Sequence, residues 1–147
     1  MRRHRLSPAH RADEVTGAVR SVVALHSTDP ATVFLSAWAR TASFERADLE
    51  RALYEQRSLV RMLGMRRTLW VVPHDLVPIV DAGASQAVAA NERRKLEKFV
   101  AESGITDEPA AWIDAAEAAA LAALGARGEA STSELAGDHP LLSERLR

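Results

Sequence analysis

Residues 57–73 read RSLVRMLGMRRTLWVVP, and this stretch decides the fold that the sequence predicts. Before it, apolar residues recur every three or four positions, as they do along helices. Within it, the apolar runs at 59–62 and 68–72 are typical of strands, and Gly64 lies in the connection between them. The stretch therefore predicts a β-hairpin that carries several arginines and ends at Pro73.

Three helices are predicted ahead of this hairpin. A stripe of valines and alanines begins at Val15, and we expect its helix to run to about residues 27–30, because Pro30 disfavours a helical residue before it. A second helix should follow Pro30, and Ser43 is expected to cap a third. Three helices and a hairpin within residues 12–75 predict a winged-helix domain.

The rest of the chain is predicted to be mostly helical. Thr106 is expected to cap a long helix, Ser131 and Glu134 match a capping box, and Pro140 should open a further helix. The fold class expected is therefore mainly α with small β-hairpins. The segments predicted are a winged-helix domain over 1–75, a helical connector over 76–125, and the start of a second winged helix over 126–147, cut off by the chain end.

Composition narrows the class of protein. The chain has 147 residues and no cysteine, and its five histidines show no metal-ligand spacing. No apolar run approaches the length of a membrane span. We therefore expect a cytoplasmic protein with no metal, no cofactor and no membrane partner.

Charge is distributed unevenly along the chain. Residues 1–75 hold 12 Arg or Lys against 8 Asp or Glu, whereas residues 76–147 hold 7 against 12. A basic first half favours contact between that half and a polyanion such as DNA. Ordinary scatter of surface charge explains the same numbers equally well.

The hairpin region concentrates positive charge. Its candidate DNA-binding residues are Arg57, Arg61, Arg66 and Arg67. Guanidinium groups bind phosphate oxygens in a two-pronged manner and would set position rather than sequence preference. Salt bridges to acidic residues of the same domain are the alternative, with Glu50, Glu55 or Asp75 as partners. The third helix is too acidic to favour reading bases in a major groove.

A resemblance to a known family rests on VVALHSTDP at 22–30, RSLVR at 57–61 and MRRTL at 65–69. With these motifs the chain resembles the winged-helix DNA-binding family that includes the AlkZ and YcaQ DNA glycosylases, over essentially its whole length. The resemblance implies double-stranded, damaged DNA as the partner. It also implies hydrolysis of the N-glycosidic bond of alkylated or crosslinked bases. Members of the family are longer, with further winged-helix units and a β-barrel.

The chain departs from this family where the family's catalytic side chains stand. In the glycosylases a Gln-x-Gln or Gln-x-Asp pair holds the hydrolytic water, and the matching positions here are His26 and Thr28. A strand position that is often histidine in the family is Trp70 here. The resemblance thus implies that His26 accepts a proton from water while Thr28 orients it. The alternative is a core or helix-capping role for His26, and Asp29 is expected to cap the second helix.

Three functions stay open at this point. The chain is a monofunctional DNA glycosylase, a DNA-binding module without enzymatic activity, or a domain that assembles with other proteins. The sequence leaves its status as an enzyme and its oligomeric state undecided.

Overall fold

The computed structural model describes residues 2–145, so residue 1 and residues 146–147, at the ends of the predicted segments, lie outside the described part. Helices dominate, and one small antiparallel sheet accompanies them, which confirms the expected mainly-α class. The chain divides into two compact units between Ala89 and Ala90. The predicted segment boundaries at residues 75 and 125 stay a prediction. Within residues 2–145 no helix is long and apolar enough to cross a membrane.

The first unit combines short helices with a three-stranded sheet. Its elements are α1 Val15–Arg20, β1 Leu25–His26, α2 Pro30–Trp38, α3 Arg46–Glu50, β2 Leu59–Leu63, β3 Leu69–Pro73 and α4 Val77–Val80. A π-helical turn extends α3 over Arg51–Glu55, and another extends α4 over Asp81–Ser85. The strands lie in the order β1-β3-β2, and both pairings are antiparallel.

The first helix is shorter than predicted, and the strand that follows it was missed. α1 ends at Arg20, and Val23 adopts a left-handed conformation with a φ of 70°, which turns the chain into β1. Valine's branched side chain lowers helix propensity, so a run of valines does not hold the chain helical without burial. The predicted hairpin is confirmed as β2 and β3, and β1 adds a third strand beside β3.

The core of the first unit fills the space between the helices and one face of the sheet. The buried residues of this cluster are Val15, Val19, Leu25, Val33, Ala37, Leu49, Ala52, Leu59 and Val71. Leu25 and Val71 are paired in the sheet register, so they point to the same face. Burial of β1 and β3 on this face fixes the backbone that carries the neighbouring residues of the other face.

Two helix caps in the first unit were predicted, and one of them is correct. The Asp29 carboxylate accepts a hydrogen bond from the Ala31 N–H at 3.0 Å, which confirms it as the cap of α2. The prediction for Ser43 is wrong. Glu45 caps α3 instead, in a capping box with Asp48. A carboxylate at a helix start accepts hydrogen bonds from free N–H groups and interacts favourably with the helix dipole. Glu45 therefore supplies the cap that was predicted two residues earlier, at Ser43.

In the described part of the chain, four helices follow α4. They are α5 Gln86–Ser103, α6 Pro109–Arg127, α7 Thr132–Asp138 and α8 Pro140–Ser143. The Ser131–Glu134 capping box is confirmed, whereas Glu108 rather than Thr106 stands at the start of α6. The Thr106 hydroxyl accepts the Glu108 N–H at 3.1 Å, just ahead of the helix.

Candidate functional site

One row of side chains crosses the sheet on the face opposite the core, and we call this the site face. The register pairs Trp70 of β3 with His26 of β1 on one side and with Met62 of β2 on the other. Side chains alternate between the two faces of a strand, and the neighbours Leu25 and Val71 point into the core. The sheet therefore brings together three residues that are far apart in the sequence.

His26 and Thr28 form a hydrogen-bonded pair at the end of β1. Thr28 Oγ1 lies 3.2 Å from His26 Nε2, and both residues are exposed to solvent. Thr28 Oγ1 also accepts the Leu69 N–H at 3.2 Å, which ties the pair to β3. The interpretation of His26 as a core or helix-capping residue is wrong, because the helix ends at Arg20 and the imidazole lies on an exposed strand.

The proton arrangement of this pair depends on which nitrogen of the imidazole carries the proton. A threonine hydroxyl offers one proton and two lone pairs, and the Leu69 N–H uses one of those lone pairs. If Nε2 of His26 carries the imidazole proton, it occupies the second lone pair. The Thr28 hydroxyl proton is then directed outward, and His26 Nδ1 keeps a free lone pair. In that tautomer Nδ1 can accept a proton from a water molecule on the edge of the ring that faces away from Thr28, and the Thr28 hydroxyl can donate to a different acceptor.

The indole ring of Trp70 contacts the imidazole ring of His26. The two rings meet edge to face, with centroids 5.2 Å apart and an interplanar angle of 78°. Gly64 leaves room for the indole, since a Cβ at that position would lie 3.0 Å from Trp70 Cδ1. The indole Nε1 is buried and has no hydrogen-bond partner within residues 2–145. Trp70 is thus a structural neighbour of His26 that the sequence alone did not place.

Arg61 reaches the same corner from the other strand. Its Nη2 donates a hydrogen bond of 2.8 Å to the backbone carbonyl of Ser27, between the two residues of the pair. Ser27 is 1% exposed, and its N–H donates to the Leu69 carbonyl at 2.8 Å. Arg61, which the sequence predicted as a DNA contact, therefore holds the backbone between His26 and Thr28. Sequence reasoning missed this because 34 residues separate the bonded groups.

The other three arginines lie on exposed, tightly turned backbone. Arg57, Arg66 and Arg67 are all exposed and adopt left-handed conformations, with φ of 51°, 58° and 59°. The turn between β2 and β3 is closed by a 2.9 Å hydrogen bond from the Gly64 N–H to the Thr68 carbonyl. This turn presents two neighbouring guanidinium groups at the end of the hairpin.

Two of the acidic residues considered as partners for these arginines bind other side chains. Asp75 is held by both terminal nitrogens of Arg20, at 2.7 and 2.8 Å, and this contact lowers the pKa of the Asp75 carboxyl. Glu50 binds Arg46 at 2.7 Å within α3. Arg46 and Glu50 thus pair with each other on the surface of α3.

Residues 2–145 contain no group of three or more His, Cys, Asp or Glu side chains that could hold a metal ion.

Comparison with protein families gives one match. A family model described as AlkZ-like, DNA glycosylase AlkZ-like, matches residues 19–142. The matched region includes the whole site face, the His26–Thr28 pair and the hairpin arginines. No curated protein and no solved structure matches the chain.

Proposed function

The chain belongs to the AlkZ-like DNA glycosylase family, and from this we infer that it hydrolyses the N-glycosidic bond of a damaged base in double-stranded DNA. Alkylated and crosslinked bases are the proposed substrates. The first unit is assigned as a winged helix. The order of α1, β1, α2, α3, β2 and β3, with β3 at the centre of the sheet, supports this assignment.

The observation that carries the proposal is the exposed, hydrogen-bonded pair of His26 and Thr28. His26 Nδ1 accepts a proton from the attacking water molecule, and the Thr28 hydroxyl, 3.2 Å from Nε2 on the other edge of the ring, holds the imidazole in position. The water oxygen bonds to the sugar carbon as the glycosidic bond breaks, and the electron pair of that bond leaves with the base. Histidine as a residue type suits this transfer because an imidazole ring can gain and lose a proton near neutral pH. No cofactor is needed for the step.

DNA is held by the hairpin in this proposal. Arg66 and Arg67 bind phosphates beside the site, and Arg57 adds a contact at the other end of the hairpin. Such contacts supply affinity and orientation without sequence preference. Arg61 keeps the backbone between the catalytic pair in place through its bond to Ser27.

Release of the base from alkylated duplex DNA tests the proposal. Thr28→Val keeps the shape of the side chain but removes its hydroxyl, and Thr28→Ser keeps the hydroxyl. We expect His26→Ala and Thr28→Val to slow release by about a hundredfold or more, and Thr28→Ser to retain most of the rate. His4→Ala is the matched control, since His4 is exposed and outside the site. No release by the unchanged chain, or an unchanged rate in His26→Ala, would contradict the mechanism.

A second candidate is DNA binding without hydrolysis. It is favoured by His26 and Thr28 standing where the family's glutamine-containing pair would be. In this case affinity for duplex DNA should fall steeply with salt and weaken in Arg66→Ala, while no base is released. Release of a base that depends on His26 excludes this candidate, and salt-insensitive binding excludes DNA contact through the arginines.

A further inference from the structure

The hairpin that carries Arg66 and Arg67 is tied to the helical segment that follows it. Ser85 Oγ donates a hydrogen bond of 2.6 Å to the Leu63 carbonyl, and 22 residues separate the two. We propose that Ser85 is a positioning residue, whose hydroxyl fixes the direction of the hairpin turn and thereby the places of both guanidinium groups on DNA phosphates. The inference rests on the DNA contact of the proposed function and adds a residue that lies outside that contact.

Leu63 stands at the free edge of the sheet. β2 pairs with β3 on one side, and no strand of the described chain pairs with its other side. Bonded and non-bonded positions alternate in an antiparallel pair, and the Gly64 N–H bonds to the Thr68 carbonyl. The neighbouring pair of Leu63 and Leu69 is therefore a non-bonded one, so the Leu63 carbonyl points away from β3. Ser85 supplies the donor that the sheet does not.

The helical segment presents Ser85 at an unusual turn. Ser85 is the last residue of the π-helical turn between α4 and α5, in which the Gln86 N–H bonds to the Asp81 carbonyl. The Gln86 side chain also donates to the Asp81 carboxylate at 3.0 Å. A π-helical turn holds more residues than an α-helical turn, so it changes the direction of its side chains, and such turns are frequent at functional sites. The turn and its side-chain bond therefore set the direction of the Ser85 hydroxyl.

The apolar surfaces of the two segments do not fix their direction. Ile79 and Ala84 of the helical segment line the same cavity as Met65 and Trp70 of the hairpin. Apolar burial is non-directional, so such surfaces can slide and still stay covered. A hydrogen bond has a preferred length and angle. The bond from Ser85 thus adds a directional restraint to the contact between the segments.

This restraint reaches the arginines through a short, closed turn. Leu63 lies directly before the turn, which the 2.9 Å bond between the Gly64 N–H and the Thr68 carbonyl closes. Arg66 and Arg67 both have left-handed backbone, with φ of 58° and 59°, which leaves the turn few alternative conformations. A change of direction at Leu63 therefore moves both guanidinium groups together. Their contacts with phosphates depend on that placement, because the attraction between charges falls with distance.

Binding of the full chain to an undamaged, fluorescein-labelled DNA duplex tests the proposal by fluorescence anisotropy. Ser85→Ala removes the hydroxyl and should weaken binding by about fivefold, whereas Ser85→Thr keeps it and should stay within about twofold. Ser103→Ala is the matched control, because Ser103 Oγ donates an equally short bond of 2.6 Å to the Val100 carbonyl inside α5. This control should leave the affinity unchanged.

The salt dependence of binding separates positioning from a loss of stability. Each phosphate contact contributes about one to the slope of log affinity against log salt concentration. Ser85→Ala should therefore lower the slope by about one, as Arg66→Ala should, and Ser103→Ala should keep it. Weaker binding by Ser85→Ala with an unchanged slope would overturn the inference, because the phosphate contacts would then be intact.

A double-mutant cycle decides whether Ser85 acts through the hairpin arginines. In a chain that carries Arg66→Ala and Arg67→Ala, adding Ser85→Ala should cause no further loss of affinity. A full loss in that background would overturn the inference.

The same binding data keep the inference and the proposed function distinguishable. An unchanged affinity in Arg66→Ala would contradict the proposed phosphate contact together with the inference. Weaker binding by Arg66→Ala, with Ser85→Ala equal to Ser103→Ala, would contradict the positioning role alone.

Discussion

Leu49→Ala tests whether the core behind the sheet positions the site. Leu49 is 0% exposed, so the substitution removes three fully buried carbon groups, at about 0.8 kcal/mol each. The cavity that remains adds to this transfer cost, and measured Leu→Ala changes in cores reach about 3 to 5 kcal/mol. We therefore expect the free energy of unfolding of the first unit to fall by about 3 kcal/mol.

Leu35→Ala is the matched control because it makes the same chemical change on α2. Leu35 is 63% exposed, so its removed carbon groups carry only about a third of the transfer free energy. The free energy of unfolding should therefore fall by less than about 1 kcal/mol. Native-state hydrogen exchange of the β3 amides measures both variants and reports on the first unit alone. Equal losses in the two variants would refute the reasoning, since burial is what separates them.

The other predictions concern the site and its supports. Gly64→Ala should destabilise the first unit by about 1 kcal/mol or more and change the fluorescence of Trp70, because the new Cβ would lie 3.0 Å from the indole. Asp75 has a pKa lowered by Arg20, so its contribution is present above the ordinary carboxyl pKa and lost as the pH falls through the lowered value. The stability difference from Asp75→Asn, measured by urea unfolding, should therefore be constant above the ordinary carboxyl pKa of about 3.8 and shrink as the pH falls below it. Arg61→Ala should slow base release by about tenfold or more and change DNA affinity less, which kinetics and anisotropy resolve; equal losses would assign Arg61 to phosphate binding alone.

Local chemistry explains what the sequence predicted correctly. Asp29 before Pro30 is a cap and a helix start that need no information from distant residues, and both were found. The change of apolar pattern after Gln56 likewise revealed the hairpin. These features depend on neighbours within a few positions, which the sequence displays directly.

The errors concern contacts between distant parts of the chain. β1 has two residues, Leu25 and His26, too few to show an alternating pattern, and it exists because β3 pairs with it across more than 40 residues of chain. The exposure of His26 follows from that pairing. The same holds for Arg61, whose side chain suits either a phosphate or a carbonyl until the fold places Ser27 beside it.

In the alanine-rich helix α6, the pattern of apolar residues also did not predict which face of the helix is buried. Trp112 and Ile113 are both large apolar residues of α6, but Ile113 is the residue of this helix that is buried in the described chain. Alanine favours a helix without favouring one face of it. The helix was therefore predictable, but the side on which it packs was not.

The alternation of faces along the strands has a consequence for engineering. Val71 and Leu25 hold the fold from one side, whereas Trp70, His26 and Met62 project from the other. A combinatorial library at these last three positions would vary the reactive surface without changing a residue of the buried core cluster. Selection for new lesion chemistry could thus begin on one face of the sheet while the other face keeps its buried residues.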